Sequence, residues 1–181
     1  QQALQQILDD GTEPVLMPHI VSALLSMNHP DAVPAVIKFI ESSDDLRIGS
    51  VFSSVPDVSS KDVVNTILNL LNHPDNRVAR WLSQLLKKAE KPTLRRTVFL
   101  GFSHSSELVR YYVSEAVSSW STITESDTKV VARQLQVEKT AKNLRSVIGC
   151  LARHPYPVTI KAVEDFLSGC EPGLMLDLML E

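Results

Sequence analysis

The chain has 181 residues, 44% of them hydrophobic and 22% charged, which excludes an intrinsically disordered chain and allows a domain with a substantial core. Its formal charge of -3 and pI of ≈ 6.0 weigh against a generally basic nucleic-acid binder. The charge is uneven, however: residues 1–76 carry three basic against ten acidic side chains, residues 77–161 fifteen against six, and residues 162–181 none against five. A basic middle between acidic ends marks the region in which a binding face is to be sought.

In chain order, residues 2–9, 13–27 and 31–42 read as three N-terminal helices. The longest uncharged stretch, Pro14 to Pro30, contains Pro18, His19, Ser22 and Ser26 and is a poor membrane span. No basic-then-apolar leader stands at the N-terminus, and a chain opening on Gln1 reads as a fragment of a longer protein. No membrane association is expected.

Three later segments align without gaps. They open at Asp45, Asp75 and Ser106, residues able to cap a helix, and place Ile48, Phe52 and Val55, then Val78, Leu82 and Leu85, then Val109, Val113 and Ala116 at offsets of three, seven and ten. Those offsets fall on one face of a helix. A looser copy puts Leu144, Ile148 and Leu151 on the same frame. A second helix follows each: one after Ser59-Ser60 with Val64, Ile67, Leu68 and Leu71, and one opening at Pro92 with Leu94, Val98, Phe99 and Phe102. The next pair are a helix capped by Ser126-Asp127 with Val130, Val131 and Leu135, and a helix after Pro157 with Ile160, Val163, Phe166 and Leu167. No alternating strand pattern competes.

A lone helix pair cannot bury its apolar stripe, whereas stacked pairs share one core. The expected fold is therefore an all-α solenoid of stacked antiparallel helix pairs, with about 10–12 helices at this repeat length. The cap-x-x-Val-Arg frame, clearest at residues 106–116 and 75–85, resembles the first helix of HEAT repeats. The resemblance is close over residues 44–168 and loose over residues 1–43, with residues 169–181 a C-terminal cap or tail of one repeat domain. It implies a right-handed solenoid, and its second helices usually line a concave surface.

The basic run Arg77, Arg80, Lys87, Lys88, Lys91, Arg95 and Arg96 is interrupted only by Glu90. Under the resemblance, Arg95 and Arg96 face the concave side and Lys129 and Arg133 in the next second helix continue the strip. The candidate binding residues are thus Lys88, Lys91, Arg95, Arg96, Lys129 and Arg133, and the expected partner is an acidic segment or surface of another protein. Trp81, Tyr111, Tyr112 and Trp120 lie in the same region, as core or as binding hot spots.

Other motifs take plainer readings. His-Pro-Asp occurs at residues 29–31 and 73–75, with His154-Pro155 a partial copy. The tripeptide is also found in J-domain co-chaperones, but its repetition between helices reads as turn punctuation. The five histidines are scattered and offer no closed zinc set, the six glycines form no phosphate loop, and no nucleophilic triad is visible. No catalytic residue, metal or cofactor is expected. Two cysteines, Cys150 and Cys170, read as free thiols of a reducing, cytoplasmic setting.

The function expected is a non-catalytic interaction scaffold. The alternative is nucleic-acid binding, or base excision as in HEAT-like alkylpurine DNA glycosylases, for which Trp120 and Asp127 are the candidate residues. The apolar tail from Gly173 to Glu181 predicts a longer solenoid, a segment that packs back, or self-association.

Overall fold

The computed structural model describes residues 17–27, 32–54 and 57–179. Among the described residues there are eleven α-helices, two short 3-10 helices and no strand, so the chain is all-α. The helix expected over residues 2–9, the first His-Pro-Asp turn and Val55 lie outside the described residues. The chain forms two compact units, Gln1–Thr97 and Val98–Glu181.

The first unit holds α1 (Met17–Ser26), α2 (Ala32–Ser42), α3 (Asp45–Ser54), α4 (Lys61–Leu70), α5 (Asn76–Lys87) and most of α6 (Pro92–Phe99). The second holds a 3-10 turn (Leu100–Ser103), α7 (Glu107–Ser118), α8 (Glu125–Ala132), a second 3-10 turn (Arg133–Gln136), α9 (Ala141–Arg153), α10 (Pro157–Ser168) and α11 (Pro172–Met179).

Capping decides where these helices start. Asp75 Oδ1 accepts from the Arg77 N–H at 2.7 Å and Ser60 Oγ from Val63 at 3.4 Å, as their sequence positions predict. Two caps differ from expectation by a residue or two. Asp44, not Asp45, accepts from the Arg47 N–H at 2.8 Å, so Asp45 lies in the first turn with its carboxylate free for another helix. Thr124 caps α8, and Asp127 closes a reciprocal capping box by accepting from the Thr124 N–H at 2.8 Å.

The frame of offsets three, seven and ten survives in the core. Val78, Leu82, Leu85, Val109, Val113 and Ala116 are all fully buried, as is Ile48, with Phe52 nearly so. In α9 the frame sits one residue earlier than expected. Its N-cap is Thr140, so the three positions are Asn143, Val147 and Cys150; of the expected set, Leu144 and Leu151 are buried and Ile148 is half-buried. The N-cap positions Asp44, Asp75, Ser106 and Thr140 stand 31, 31 and 34 residues apart.

Within each unit, hydrogen bonds tie helices whose bonded residues lie 31 to 36 positions apart in sequence. Between α3 and α5, Arg77 donates to the Ser43 carbonyl at 2.6 Å, Trp81 Nε1 to Asp45 at 3.2 Å and Lys88 to the Phe52 carbonyl at 2.6 Å. Between α7 and α9, Asn143 donates to the Glu107 carbonyl at 3.1 Å, Ser146 to Glu115 at 2.9 Å and Arg153 to the Ser118 carbonyl at 3.1 Å. Three of these bonds end on the carbonyls of Ser43, Phe52 and Ser118, at or just past the C-terminal turn of a helix, where no intrahelical partner remains.

The last two helices are thinly covered. The face of α10 expected to be buried is not: Ile160 is 47% exposed, Val163, Phe166 and Leu167 are half-buried, and only Thr159 is buried. The tail helix α11 packs on α9, where Arg145 Nη2 donates to the Asp177 carbonyl at 3.2 Å, yet Leu176 and Met179 stay exposed. Both helices have few partners to share a core with, so amphipathic spacing alone does not bury them. Gly149, in the middle of α9, has no packing reason to be glycine: a Cβ there would meet no neighbouring atom within 4 Å. Glycine at such a site costs about 1 kcal/mol relative to alanine.

Candidate binding surface

The basic run begins on a helix whose role is structural. Arg77 and Arg80 of α5 approach Asp45 at 3.5 and 3.6 Å, and the Arg80 guanidinium lies 5.5 Å from the centre of the Trp81 ring. Trp81 in turn packs against Phe52, ring centres 5.2 Å apart. The Trp81 N–H first, then Arg80 and Arg77, hold the Asp45 carboxyl below the usual carboxylate range. This cluster is exposed and adds little to stability, but it uses up two cations of the run.

Of the six candidate residues, two are held inside the first unit. Lys88 reaches the Phe52 carbonyl, and burial lowers its ammonium below the usual lysine range, partly offset by Asp57. Arg95 is buried, with Nε donating to the Glu90 carbonyl at 3.4 Å. The local reason is helical phase: Leu94, Arg95, Thr97 and Val98 share the inward side of α6, and a guanidinium long enough to reach a carbonyl is tolerated there. The neighbouring Lys91 and Arg96 are exposed.

In the second unit, Lys129 and Arg133 are both exposed and line the same groove, a space of ≈ 410 Å³ between α8, the second 3-10 turn and α10. Its apolar floor is Ala132, Leu135, Val158 and Ala162, and Asp165 is the one carboxylate among its lining residues. Lys129 also pairs with Glu125 at 2.9 Å along α8. Val158 is 39% exposed at the groove. The arrangement suits an amphipathic or extended segment, apolar contacts below and charge at the rim.

The residues named for base excision are engaged elsewhere. Trp120 is 2% exposed and packs on Phe99, ring centres 6.0 Å apart, so its face is closed to a nucleobase. Asp127 serves the α8 capping box. The His-Pro-Asp turn at residues 73–75 is local scaffolding: His73 Nδ1 accepts from the Asp75 N–H at 3.2 Å, and Asp75 caps α5. One repeat on, His104 Nδ1 accepts from the Ser106 N–H at 3.0 Å. The sequence signal for that second copy was a histidine two residues before each cap, which the search for an intact tripeptide passes over.

Cys150 and Cys170 are free thiols, the first buried in α9 and the second half-exposed. Burial, only partly opposed by Arg153, pushes the Cys150 thiol up to about 12. At pH 8 such a group is thiolate in about 1 part in 10⁴. Iodoacetamide at pH 8 is therefore expected to alkylate Cys170 in the native protein and Cys150 only after unfolding. Intact mass should show one adduct, then two in guanidinium; equal native labelling of both would contradict the buried placement.

No helix among the described residues is long and apolar enough to cross a membrane. No family model, curated protein or solved structure matches the chain.

Proposed function

We propose that the chain is a HEAT-like, right-handed α-solenoid that acts as a non-catalytic scaffold and binds an acidic segment of another protein. The solenoid reading is supported by caps spaced 31, 31 and 34 residues apart and by hydrogen bonds between successive first helices in each unit. The binding reading is carried by the α8–α10 groove, where Lys129 and Arg133 rim an apolar floor of which Val158 is exposed. Lys91 and Arg96 are the exposed candidates of the other unit. A cytoplasmic setting belongs to the same reading and fits two free thiols.

The test uses a fluorescein-labelled, glutamate-rich peptide with leucines at helical spacing, titrated at two salt concentrations. Charge reversal at both Lys129 and Arg133 is expected to weaken binding about tenfold or more and flatten its salt dependence, with the thermal midpoint moving by no more than about 2 °C. Equal binding by wild type and the double variant, or no binding by wild type at low salt, removes this groove as the site.

A further inference from the structure

The apolar residues of the last two helices are left uncovered in an ordered way. On α10, Ile160, Val163 and Leu167 recur every three or four positions and so form one stripe. Ile160 is exposed and the other two are half-buried. None of the three lines the groove toward α8, which takes Val158, Ala162 and Asp165 from the other side of the same helix. On α11, Leu176 and Met179 stand three positions apart and are 55% and 77% exposed. Gly173, three positions earlier, has no atom within 4 Å of the place a Cβ would take, so this stripe is open from the first turn. α11 packs on α9, yet none of its residues is buried. Only Gly169, Cys170 and Glu171 join α10 to α11, so both stripes run out from one short turn.

Charge decides what can cover them. From Pro157 to Met179 the chain carries four carboxylates and one cation, Lys161, which pairs with Asp165 at 3.2 Å. Arg145 of α9 reaches α11 as well, at the Asp177 carbonyl, and the acidic groups still outnumber the basic. Glu164, Glu171 and Asp177 are all exposed. Glu164 lies four residues after Ile160 and three before Leu167, at the edge of the α10 stripe, while Glu171 stands in the turn and Asp177 next to Leu176. An apolar strip rimmed by carboxylates selects a basic partner. A second copy in a symmetric contact would set carboxylates against carboxylates, and an anionic bilayer would be repelled in the same way.

Backbone chemistry decides the form of that partner. The stripes offer side chains and no strand edge, so an extended segment would lay its N–H and C=O groups on apolar surface without partners. A helix satisfies those groups internally and presents one apolar side. The flexible thioether of Met179 adjusts to whatever side chain is brought against it.

We propose that the α10–α11 face docks a basic amphipathic helix of a partner protein, its apolar side on the two stripes and its cations at the carboxylate rim. The assignment is separate from the acidic-segment reading of the α8–α10 groove, since it takes the opposite charge on the opposite side of α10.

The experiment is fluorescence anisotropy of the full chain with labelled peptides of about eighteen residues, long enough for an amphipathic helix of five turns. One carries leucines along one side and lysines along the other, a second has glutamates for the lysines, and a third keeps the first composition with the leucines spread around the helix. Wild type should bind the first saturably and the other two at least about tenfold more weakly, with salt loosening the complex. Ile160→Gln with Leu176→Gln should weaken binding about tenfold or more while the thermal midpoint moves by no more than about 2 °C, because both side chains are exposed. Glu164→Lys with Glu171→Lys should weaken it to a similar degree and flatten its salt dependence. Charge reversal at Lys129 and Arg133 should not weaken it, which separates this face from the groove. The proposal is overturned if wild type binds none of the peptides, if the three bind alike, or if both face variants bind as wild type does. Sedimentation showing a dimer that the glutamine pair dissolves, without peptide binding, overturns it in favour of a second copy. Capture by anionic vesicles without peptide binding overturns it in favour of a membrane surface.

Discussion

Replacing Arg110 by Met is expected to destabilise the protein by about 3–5 kcal/mol and to lower its thermal midpoint by roughly 10 °C. Arg110 holds Glu138 through both forks, Nε to Oε1 at 2.6 Å and Nη2 to Oε2 at 3.1 Å. The Glu138 side chain is 2% exposed and that of Arg110 14%, so the carboxylate is cut off from water and the guanidinium largely so. Asn143 adds a hydrogen bond to Glu138 at 2.9 Å, and Arg110 also donates to the carbonyls of His104 and Ser105. The pair with Glu138 outweighs burial and raises the Arg110 guanidinium above its ordinary value. Removing one partner leaves the other as an uncompensated charge in the interior, which is the costly case. The double replacement Arg110→Met with Glu138→Met should recover much of the loss, because it removes both desolvation penalties. A urea-unfolding cycle reads the coupling directly; a single variant within about 1 kcal/mol of wild type would show that the pair is not buried as described.

Leu82→Ala is expected to cost about 2–5 kcal/mol, the range for truncating a fully buried leucine. Leu82 occupies the seventh position of the α5 frame and has no exposed surface. Leu46, in the first turn of α3 but off the frame, is 89% exposed. Its replacement by alanine should stay within about 0.5 kcal/mol of wild type. The two leucines stand on opposite phases of their helices, so urea melts of both variants test the helical register. Equal losses at the two positions would mean that the register is wrong.

Most of the helices were legible because their signals are local. Apolar residues three, four and seven apart, prolines at helix starts and acidic or hydroxyl caps act within a turn or two of chain. The misplaced features were those in which neighbouring candidates compete. Asp44 and Asp45 are both able to cap α3, and only the packing that directs Asp45 at Trp81 separates them. At α9, the leucine at 144 drew the frame one residue late. Asn143 takes the third position because its amide bridges Glu138 and the Glu107 carbonyl, a polar partnership between distant residues.

The candidate surface divides in the same way. Lys129 and Arg133 were named because the resemblance puts them on the next second helix, and both line one groove. Lys88 and Arg95 look identical to exposed cations in a string of letters, yet each ends on a backbone carbonyl inside the unit. The uncovered side of α10 was invisible, because helical spacing marks an apolar stripe and not what lies against it.

By itself the sequence determined an all-α chain and most of its described helices to within a residue or two, since backbone hydrogen bonding and helical periodicity act over a few residues. Tertiary structure decided which cations end on neighbouring carbonyls and which stand exposed at a groove. It also decided that α10 and α11 keep apolar residues exposed. Those outcomes depend on what packs alongside each side chain, and burial, charge pairing and empty space are properties of neighbours brought together from distant parts of the chain.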